Sequence, residues 1–491
     1  MRRLLKFMSV CVIFAAAFSC TDPVQEGVEV AGVSLDKNEL RLEVGESGNL
    51  VATVVPSNAD DKSVVWSSQD ENVAVVSESG VVTGAAVGKT AVVVTTVDGG
   101  FTAECAVEVY ENDEPADVED LSASATANSY VIMAAGSYRF NAAVRGNGVA
   151  TDGSEAAPLT PVSAFLVWQT EPGMIASVAL EDGYIVFEAA GKPGNALIAA
   201  GDADGNIIWS WHIWYPKEEI ASMASKTGYE VMNMNLGALV SGRLPLENAE
   251  CYGMLYQWGR KDPFPNSLAV TGDQTTVGQP LYDIDGESVA ITNSSWESVA
   301  DNTLEYAIAH PTVCLSNMAH YAESRDWLAE SDDALWGNPD GRERDENLEY
   351  VNKGFKSLYD PCPAGWRVPP VDVFETFTAS GQVSFVHEDF DVVDINGDGL
   401  INADDFSNGW MFNMEDGSMF FPAAARFDGS YAMLMGSVCG MWGSYWSNAP
   451  GAADYGYGGM GFCALSFQST MVTPNASASR ADAYSVRCVR E

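Results

Sequence analysis

The sequence predicts a multidomain chain in which two all-β sandwich domains precede a third region of different texture. Three observations predict it. From about residue 30 to 110, short runs such as "LRLEV", "VAVV" and "TAVVVTTV" alternate apolar and polar residues and are broken by Gly and Asn/Asp turns, the pattern of half-buried strands. From 121 to 215, strand-length runs such as "SAFLVWQT" and "DGYIVFEAA" are again separated by Gly turns, as in an antiparallel sandwich. From 216 to 491 the polar loops lengthen, Trp, Tyr and Met become frequent and periodicity fades. With 491 residues, 47% hydrophobic and 10% aromatic, the chain has material for about three packed domains.

Residues 1–19 carry Arg2, Arg3 and Lys6, an apolar run and small residues before Ser19-Cys20, which is the layout of a secretory signal. The small residue directly before the cysteine resembles the lipobox of bacterial lipoproteins. That resemblance implies cleavage at Cys20, lipidation of Cys20, and a surface-exposed protein held at the outer membrane. Residues 20–29 read as a tether. No later apolar run approaches the ~20 residues that span a bilayer, so membrane contact is expected only through the lipid. Loss of the signal removes three cations and no acids, taking the formal charge from −43 to −46. Such a chain repels phosphate backbones, which argues against nucleic acid as a partner. Seven cysteines remain after Cys11 and Cys20, in a compartment that permits disulfides.

Within residues 30–110, Val44-Gly45-Glu46, Pro56-Ser57-Asn58, Trp66-Ser67-Ser68, Gly80-Val81-Val82-Thr83 and the strand from Ala91 to Thr96 resemble the group 2 bacterial immunoglobulin-like domains. Trp66 is expected in the core of that sandwich. In that family the domain usually spaces a functional module from the cell or takes part in adhesion.

Residues 111–120 hold six acids and a proline, a solvated, self-repelling linker. In the second sandwich, Asp202, Asp204 and Asn206 imitate the start of a calcium loop. Ile207 stands where such a loop needs glycine, so a hairpin turn is expected there. Trp209, Trp211 and Trp214 are expected on one face of a strand, as core or interface.

In the last region, "VMNMNLGAL" (231–239), "YGMLYQWGRKDPFP" (252–265), "YDPCPAGWRVP" (359–369), "FFPAAARFDG" (420–429), "GSYWSNAP" (443–450) and "YSVRCVR" (484–490) resemble the Fibrobacter succinogenes major paralogous domain. Related domains occur in surface lipoproteins and fimbria-associated proteins of Bacteroidetes. The chain departs from the pattern at Asn233-Met234 and in an insertion near 385–410. The resemblance implies an α+β, C-type-lectin-like fold for residues 216–491, and a disulfide between Cys362 and Cys488. A pairing of Cys439 with Cys463 is a weaker expectation of the same kind.

The insertion contains "DINGDGLINADDF" (394–406). Calcium in a hand-type loop is held by oxygens from the first, third, fifth, seventh, ninth and twelfth positions, with glycine at the sixth. Starting at Asp394 these are Asp394, Asn396, Asp398, the Leu400 carbonyl, Asn402 and Asp405, with Gly399 at the turn and Ile401 packing inward. A structural calcium ion is therefore the expected cofactor.

No zinc-ligand spacing joins His212, His310, His320 and His387, and no HExxH, GxSxG or phosphate-loop motif occurs, which argues against an enzyme. The expected function is that of an adhesin or binding module recognising glycan or surface protein. Candidate contacts are Trp442, Tyr445, Trp446 and Asn448, since aromatic faces stack on sugar rings and amides bond hydroxyls. Trp446 also lies in a motif that carries the resemblance, which points to the core, and the Glu-Pro-Asn and Gln-Pro-Asp triplets of C-type lectins are absent. One alternative is a structural or tip component of a fimbria-like assembly, with other subunits as partners. A further one is a formylglycine-generating-type enzyme, although nothing around Cys439 or Cys463 resembles that active site.

Overall fold

A computed structural model of the chain describes residues 27–110 and 118–491, apart from 245–247, 271–275, 295–301, 317–324, 348, 425, 430–432, 436–437 and 451–459. The signal, Cys20 and most of the acidic linker lie outside the described residues. Two compact units form, Met1–Pro115 and Ala116–Glu491. Among the described residues no helix is long and apolar enough to cross a membrane.

In the first unit, strands Glu39–Glu43, Thr102–Tyr110, Gly88–Thr96 and Val64–Ser68 form one sheet in that order. The first pair is parallel and the others antiparallel. A three-stranded sheet of Ser47–Asn49, Val81–Gly84 and Ala74–Val76 supplies further strands. The alternation seen in the sequence is the alternation of burial: Leu42, Val82, Val92, Cys105, Val107 and Val109 meet in one core. Each such aliphatic contributes roughly 1.5–3 kcal/mol. Trp66 packs against this core, partly buried. Gly80 is required beneath it: its φ is +83°, and a Cβ there would lie 2.6 Å from the Leu50 carbonyl oxygen and 2.9 Å from the Trp66 ring.

The second unit opens with a sandwich, but the boundary expected near residue 215 does not separate independent bodies. Its larger sheet runs Ser129–Val131, Ile207–Tyr215, Gly194–Gly201, Ser163–Gln169, Leu281–Tyr282 and Ser288–Val289, so its last two strands come from the following region. One face packs on the sandwich's four-stranded sheet, Glu119–Asp120, Gly136–Asn141, Tyr184–Ala189 and Ile175–Glu181, through Tyr138, Phe140, Phe187, Trp209, Trp211 and Ile213. The other face contributes Trp168, Leu197 and Trp214 to a core with Met232, Met254 and Trp258. Both faces are thus dry, which is why Gly194–Gly201 is buried at every position and reads as a continuous apolar run. Strand parity also corrects the tryptophan expectation. Residues 209, 211 and 213 share a face, while Trp214 points to the opposite core. Asp202 to Asn206 form a hairpin turn, with Asp202 accepting the amides of Asp204 and Asn206 at 3.0 and 2.8 Å.

The remaining strands build a mixed sheet through Arg426–Asp428, Ala483–Ser485, Gly443–Pro450, Met460–Gln468 and Met471–Thr473, and a smaller sheet holding Glu230–Met232, Val489–Arg490 and Trp366–Arg367. Where the α+β expectation called for helices, the α-helix among the described residues is the six-residue Leu304–Ala309. Short 3₁₀ segments and long loops fill the rest.

Candidate functional site

The two cysteine-bearing motifs turn out to be framework. Cys362 and Cys488 are bonded, S–S 2.04 Å. Around them the buried Asp360 carboxylate accepts the amides of Cys362 and Val368, both at 2.8 Å. Lys356 donates to Asp360 at 2.8 Å and to the Cys362 and Trp366 carbonyls at 2.7 Å. Arg487 donates to Asn235 at 2.8 Å and to the Phe420 carbonyl at 3.1 Å. Every polar group of these motifs that is named here is consumed in holding the chain ends together.

A Ser–His–Asn chain is equally structural. Ser129 Oγ lies 3.2 Å from His212 Nδ1, and His212 Nε2 lies 2.9 Å from Asn195 Oδ1. The serine donates to the Pro361 carbonyl at 2.6 Å, and burial pushes the His212 pKa down to about 3. An imidazole so reluctant to take a proton is no general base at neutral pH. Likewise burial pushes the Cys251 and Cys314 thiols up to about 12, the reverse of an activated nucleophile. Cys439 is buried beside Cys251 in an apolar cluster; the Cys463 side chain lies outside the described residues.

In the 394–405 loop, Gly397 and Gly399 take φ of +73° and +85°. Asp394 accepts the amides of Gly397 and Gly399, both at 2.7 Å. Asn396 accepts from the Asp398 amide at 2.8 Å and Asp398 from the Leu400 amide at 2.9 Å. Asp405 is buried and accepts the amides of Ile395, Asn396 and Asn402 at 2.9, 3.2 and 3.0 Å. Its burial would raise its pKa, but these amide bonds outweigh that and hold it below the usual carboxylate range. Ile401 packs inward against the aromatic core, and Leu400 is exposed. The backbone thus turns at Gly397 and Gly399, with main-chain amides occupying the carboxylates. Among the described residues no three His, Cys, Asp or Glu side chains gather into a metal-holding group.

Three of the four expected ligand contacts are withdrawn into the core. Strand Gly443–Pro450 is buried throughout, because it lies between two strands of its sheet and is covered on both faces. Tyr445 donates to the Pro422 carbonyl at 2.7 Å and Trp446 to the Tyr256 carbonyl at 2.7 Å. Asn448 donates to the Lys353 carbonyl at 3.1 Å and accepts from Asn338 at 2.7 Å. Tyr445, Trp446 and Asn448 therefore offer nothing to a ligand.

Trp442 is different. It lines an open cleft of 340 Å³ with Arg325, Arg426, Asp428, Ser466, Thr473, Ser479, Asp482 and Tyr484. Its Nε1 donates to Ser466 Oγ at 2.7 Å, and the Arg426 guanidinium sits over its ring, 4.9 Å from the centroid. Asp482 accepts the Gly429 amide at 2.8 Å and the Tyr484 hydroxyl at 2.7 Å. Even so, burial, with the Asp428 charge adding to it, pushes the Asp482 carboxyl up to about 6. Sequence reasoning missed Arg426, Asp428 and Asp482. The available signal was period two: Arg426 and Asp428 flank the buried Phe427, and Asp482 and Tyr484 lie on either side of the buried Ala483, placing each pair on one face of its segment.

Comparison with known proteins bears on the first unit. Residues 29–107 match the bacterial Ig-like domain (group 2). An uncharacterised protein of Clostridium acetobutylicum is 42% identical over 85 residues, 17% of this chain and 21% of the relative. An alpha-L-arabinofuranosidase of Bifidobacterium longum subsp. longum is 41% identical over 101 residues, 20% of this chain and 10% of the enzyme. An Ig-like virion protein of Serratia phage KSP90 is 41% identical over 83 residues, 17% of this chain and 32% of that protein. The chain therefore spans a third or less of the length of each of these relatives, and the glycosidase likeness is confined to the Ig-like segment. Among solved structures, domains 4 and 5 of the S-layer protein SbsC are 20% identical with a TM-score of 0.15, over 16% of this chain and 51% of that one. From the alternating strands, the single-sided core and the match over residues 29–107, the N-terminal unit carries a bacterial Ig-like domain of group 2.

Proposed function

We propose that the chain is a non-enzymatic protein of the bacterial surface, anchored in the outer membrane through lipidated Cys20, whose second unit binds a glycan or protein ligand. The observation that carries this reading is the cleft at Trp442, where an aromatic ring and charged and hydroxyl groups converge in open space; its lining is more polar than that of most small-molecule pockets, which suits a polar ligand. The enzyme-like features elsewhere, the Ser129–His212–Asn195 chain and the thiols of Cys251 and Cys314, are buried and chemically quiescent. The Ig-like domain would serve as the spacer.

A calcium ion in the 394–405 loop belongs to the same reading. Asp394, Asn396, Asp398, the Leu400 carbonyl, Asn402 and Asp405 would supply its oxygens, and it would stiffen the exposed insertion. The curl at Gly397 and Gly399 and the inward Ile401 support it. A single extracellular loop of this kind binds at ~0.1–1 mM. Calcium at a few times that level is expected to raise the melting temperature of the ectodomain, residues 21–491, and Asp394→Ala with Asp398→Ala to abolish the rise. A wild-type melt indifferent to calcium removes the ion from the account.

The binding reading is tested by applying the labelled ectodomain to glycan arrays, extracellular protein panels and cell surfaces, in calcium and in EDTA. Saturable binding supports it. Failure to bind any of these, together with isolation of the native protein only in company with pilin-like subunits, replaces it with the assembly role.

A further inference from the structure

Resting on that reading, the cleft at Trp442 permits a narrower statement about its ligand. Four kinds of group meet there. Arg325 and Arg426 are donors only, and the carboxylates of Asp428 and Asp482 are acceptors. Ser466, Ser479, Thr473 and Tyr484 bring hydroxyls, and Trp442 brings carbon surface. Because the indole N–H is already given to Ser466, the ring is what Trp442 has to offer. Arg426 lies over that ring, so the carbon surface left for a ligand is the part the guanidinium does not cover. The Arg426 Nε is buried with no hydrogen-bond partner among the described residues.

Three ligand classes can be weighed against this lining. An anion would face two carboxylates in the cleft and a chain of net charge −43, a field that repels it from a distance and on contact. A cation would face two guanidiniums. A neutral polyol meets neither objection. Each of its hydroxyls both donates and accepts, so carboxylates and guanidiniums are satisfied by adjacent positions on one ring, and its C–H face suits an indole. The 340 Å³ volume lies at the small end of ligand pockets and holds about one or two pyranose rings. We propose that the cleft between strands Arg426–Asp428, Gly443–Pro450 and Ala483–Ser485 is a binding site for a neutral hexose unit of a glycan, with Trp442 as the platform and Arg426, Asp428 and Asp482 as the hydroxyl-reading groups.

The test is titration calorimetry of the full ectodomain with neutral probes (lactose, cellobiose, mannobiose) and acidic ones (sialyllactose, digalacturonate), using wild type, Trp442→Ala, Trp442→Phe and Asp482→Asn. At least one neutral probe is expected to bind saturably. Its affinity should fall at least about tenfold in Trp442→Ala, as for an aromatic anchor, be largely kept in Trp442→Phe, and fall in Asp482→Asn, with the acidic probes weaker than the neutral ones. Melting curves identify any variant that fails to fold, and Asp482→Asn then carries the test alone. Acidic probes binding best, or neutral binding untouched by Trp442→Ala and Asp482→Asn, overturns the proposal. An ectodomain that binds cells or proteins while ignoring every sugar overturns it too, and leaves the broader binding reading standing.

Discussion

The N-terminal sandwich and the six-stranded sheet of the large unit are both made of apolar strands, yet they dispose of their surfaces differently. The first buries one face against small aliphatics and wets the other. The second is dry on both faces, with aromatics on either side. A sheet buried on both faces must still satisfy its polar groups, since an unpaired buried donor or acceptor costs about 1–3 kcal/mol. The large unit does so in part with polar links: Asn195 donates to the Gly237 carbonyl at 2.9 Å, Trp214 to the Ala238 carbonyl at 2.7 Å, and Asn128 to the Leu358 and Asp360 carbonyls at 2.7 and 2.9 Å, while the Trp168 and Trp211 indole nitrogens are buried with no partner among the described residues. These links cross from the sandwich to the following region, and they explain why residues 121–215 do not stand as a separate body. The difference teaches that apolar patterning alone sets a one-sided sheet, whereas a two-sided one also depends on matched polar pairs.

The largest effect that could break this comparison is at Lys356. Its ion pair with Asp360 is about as inaccessible as the chain provides, with side chains 2% and 1% exposed. Lys356→Met strands a buried carboxylate and is expected to cost about 3–5 kcal/mol in urea unfolding of the large unit. Arg41→Ala removes the counterpart in the first unit, a 3.8 Å contact to Glu108 with side chains 60% and 42% exposed, and should cost less than ~1 kcal/mol. Similar losses in the two units would contradict the distinction.

Acid should separate the units next. The first unit contains no histidine. In the large unit His212 has a folded pKa near 3, depressed by burial from 6.5. A group depressed in this way stabilises fully above its unfolded value, and the contribution is lost as pH falls from 6.5 toward 3, because only the unfolded chain takes the proton. At about 1.4 kcal/mol per unit, acidification from pH 7 to 4.5 removes a few kcal/mol. Melting curves of wild type and His212→Gln should therefore converge on acidification, the wild type losing more. A constant gap between them would mean that the histidine does not titrate on unfolding.

The same contrast decides how much was legible beforehand. Where one face is wet, as in "LRLEV" and "TAVVVTTV", period two exposes the core directly, and the sandwich of residues 29–107 could be read from sequence. Where both faces are dry, "GNALIAAG" carries apolarity without parity; in the neighbouring strand Ile207–Tyr215 parity does set Trp214 opposite Trp209 and Trp211, and the expectation of one face for all three overlooked it. In the last region, strands of two to nine residues are joined across long loops, and local pattern does not show which of them meet. The residues of "YWSN" suit sugars, although its motif already pointed Trp446 to the core; the strand's central place in the sheet buries Tyr445 and Asn448 as well. Trp442, just outside that strand, remained open. Arg426, Asp428 and Asp482 converge on it from segments about fifty residues apart, a closeness that only the folded sheet creates.

The smallest effect concerns that convergence. The Asp482 carboxyl is raised to about 6, chiefly by burial and then by Asp428, against bonds from Tyr484 and the Gly429 amide. With the folded value above the unfolded 3.8, the sign is opposite to that of His212. The protonated acid stabilises at low pH, that contribution declines as pH rises from 3.8 to 6, and the ionised group burdens the fold above it. Asp482→Asn keeps the shape without the charge. It should gain about 1–2 kcal/mol at pH 7.5, where partial exposure softens the full cost, and gain little at pH 4. A half-buried carboxylate held ionised at such a cost, in a cleft lined by donors and an indole, is what a binding site that sacrifices stability for function should contain. If the asparagine variant is no more stable at pH 7.5 than the wild type, the carboxylate is already well compensated, and the cleft's charge is part of the framework, like Lys356 and Asp360.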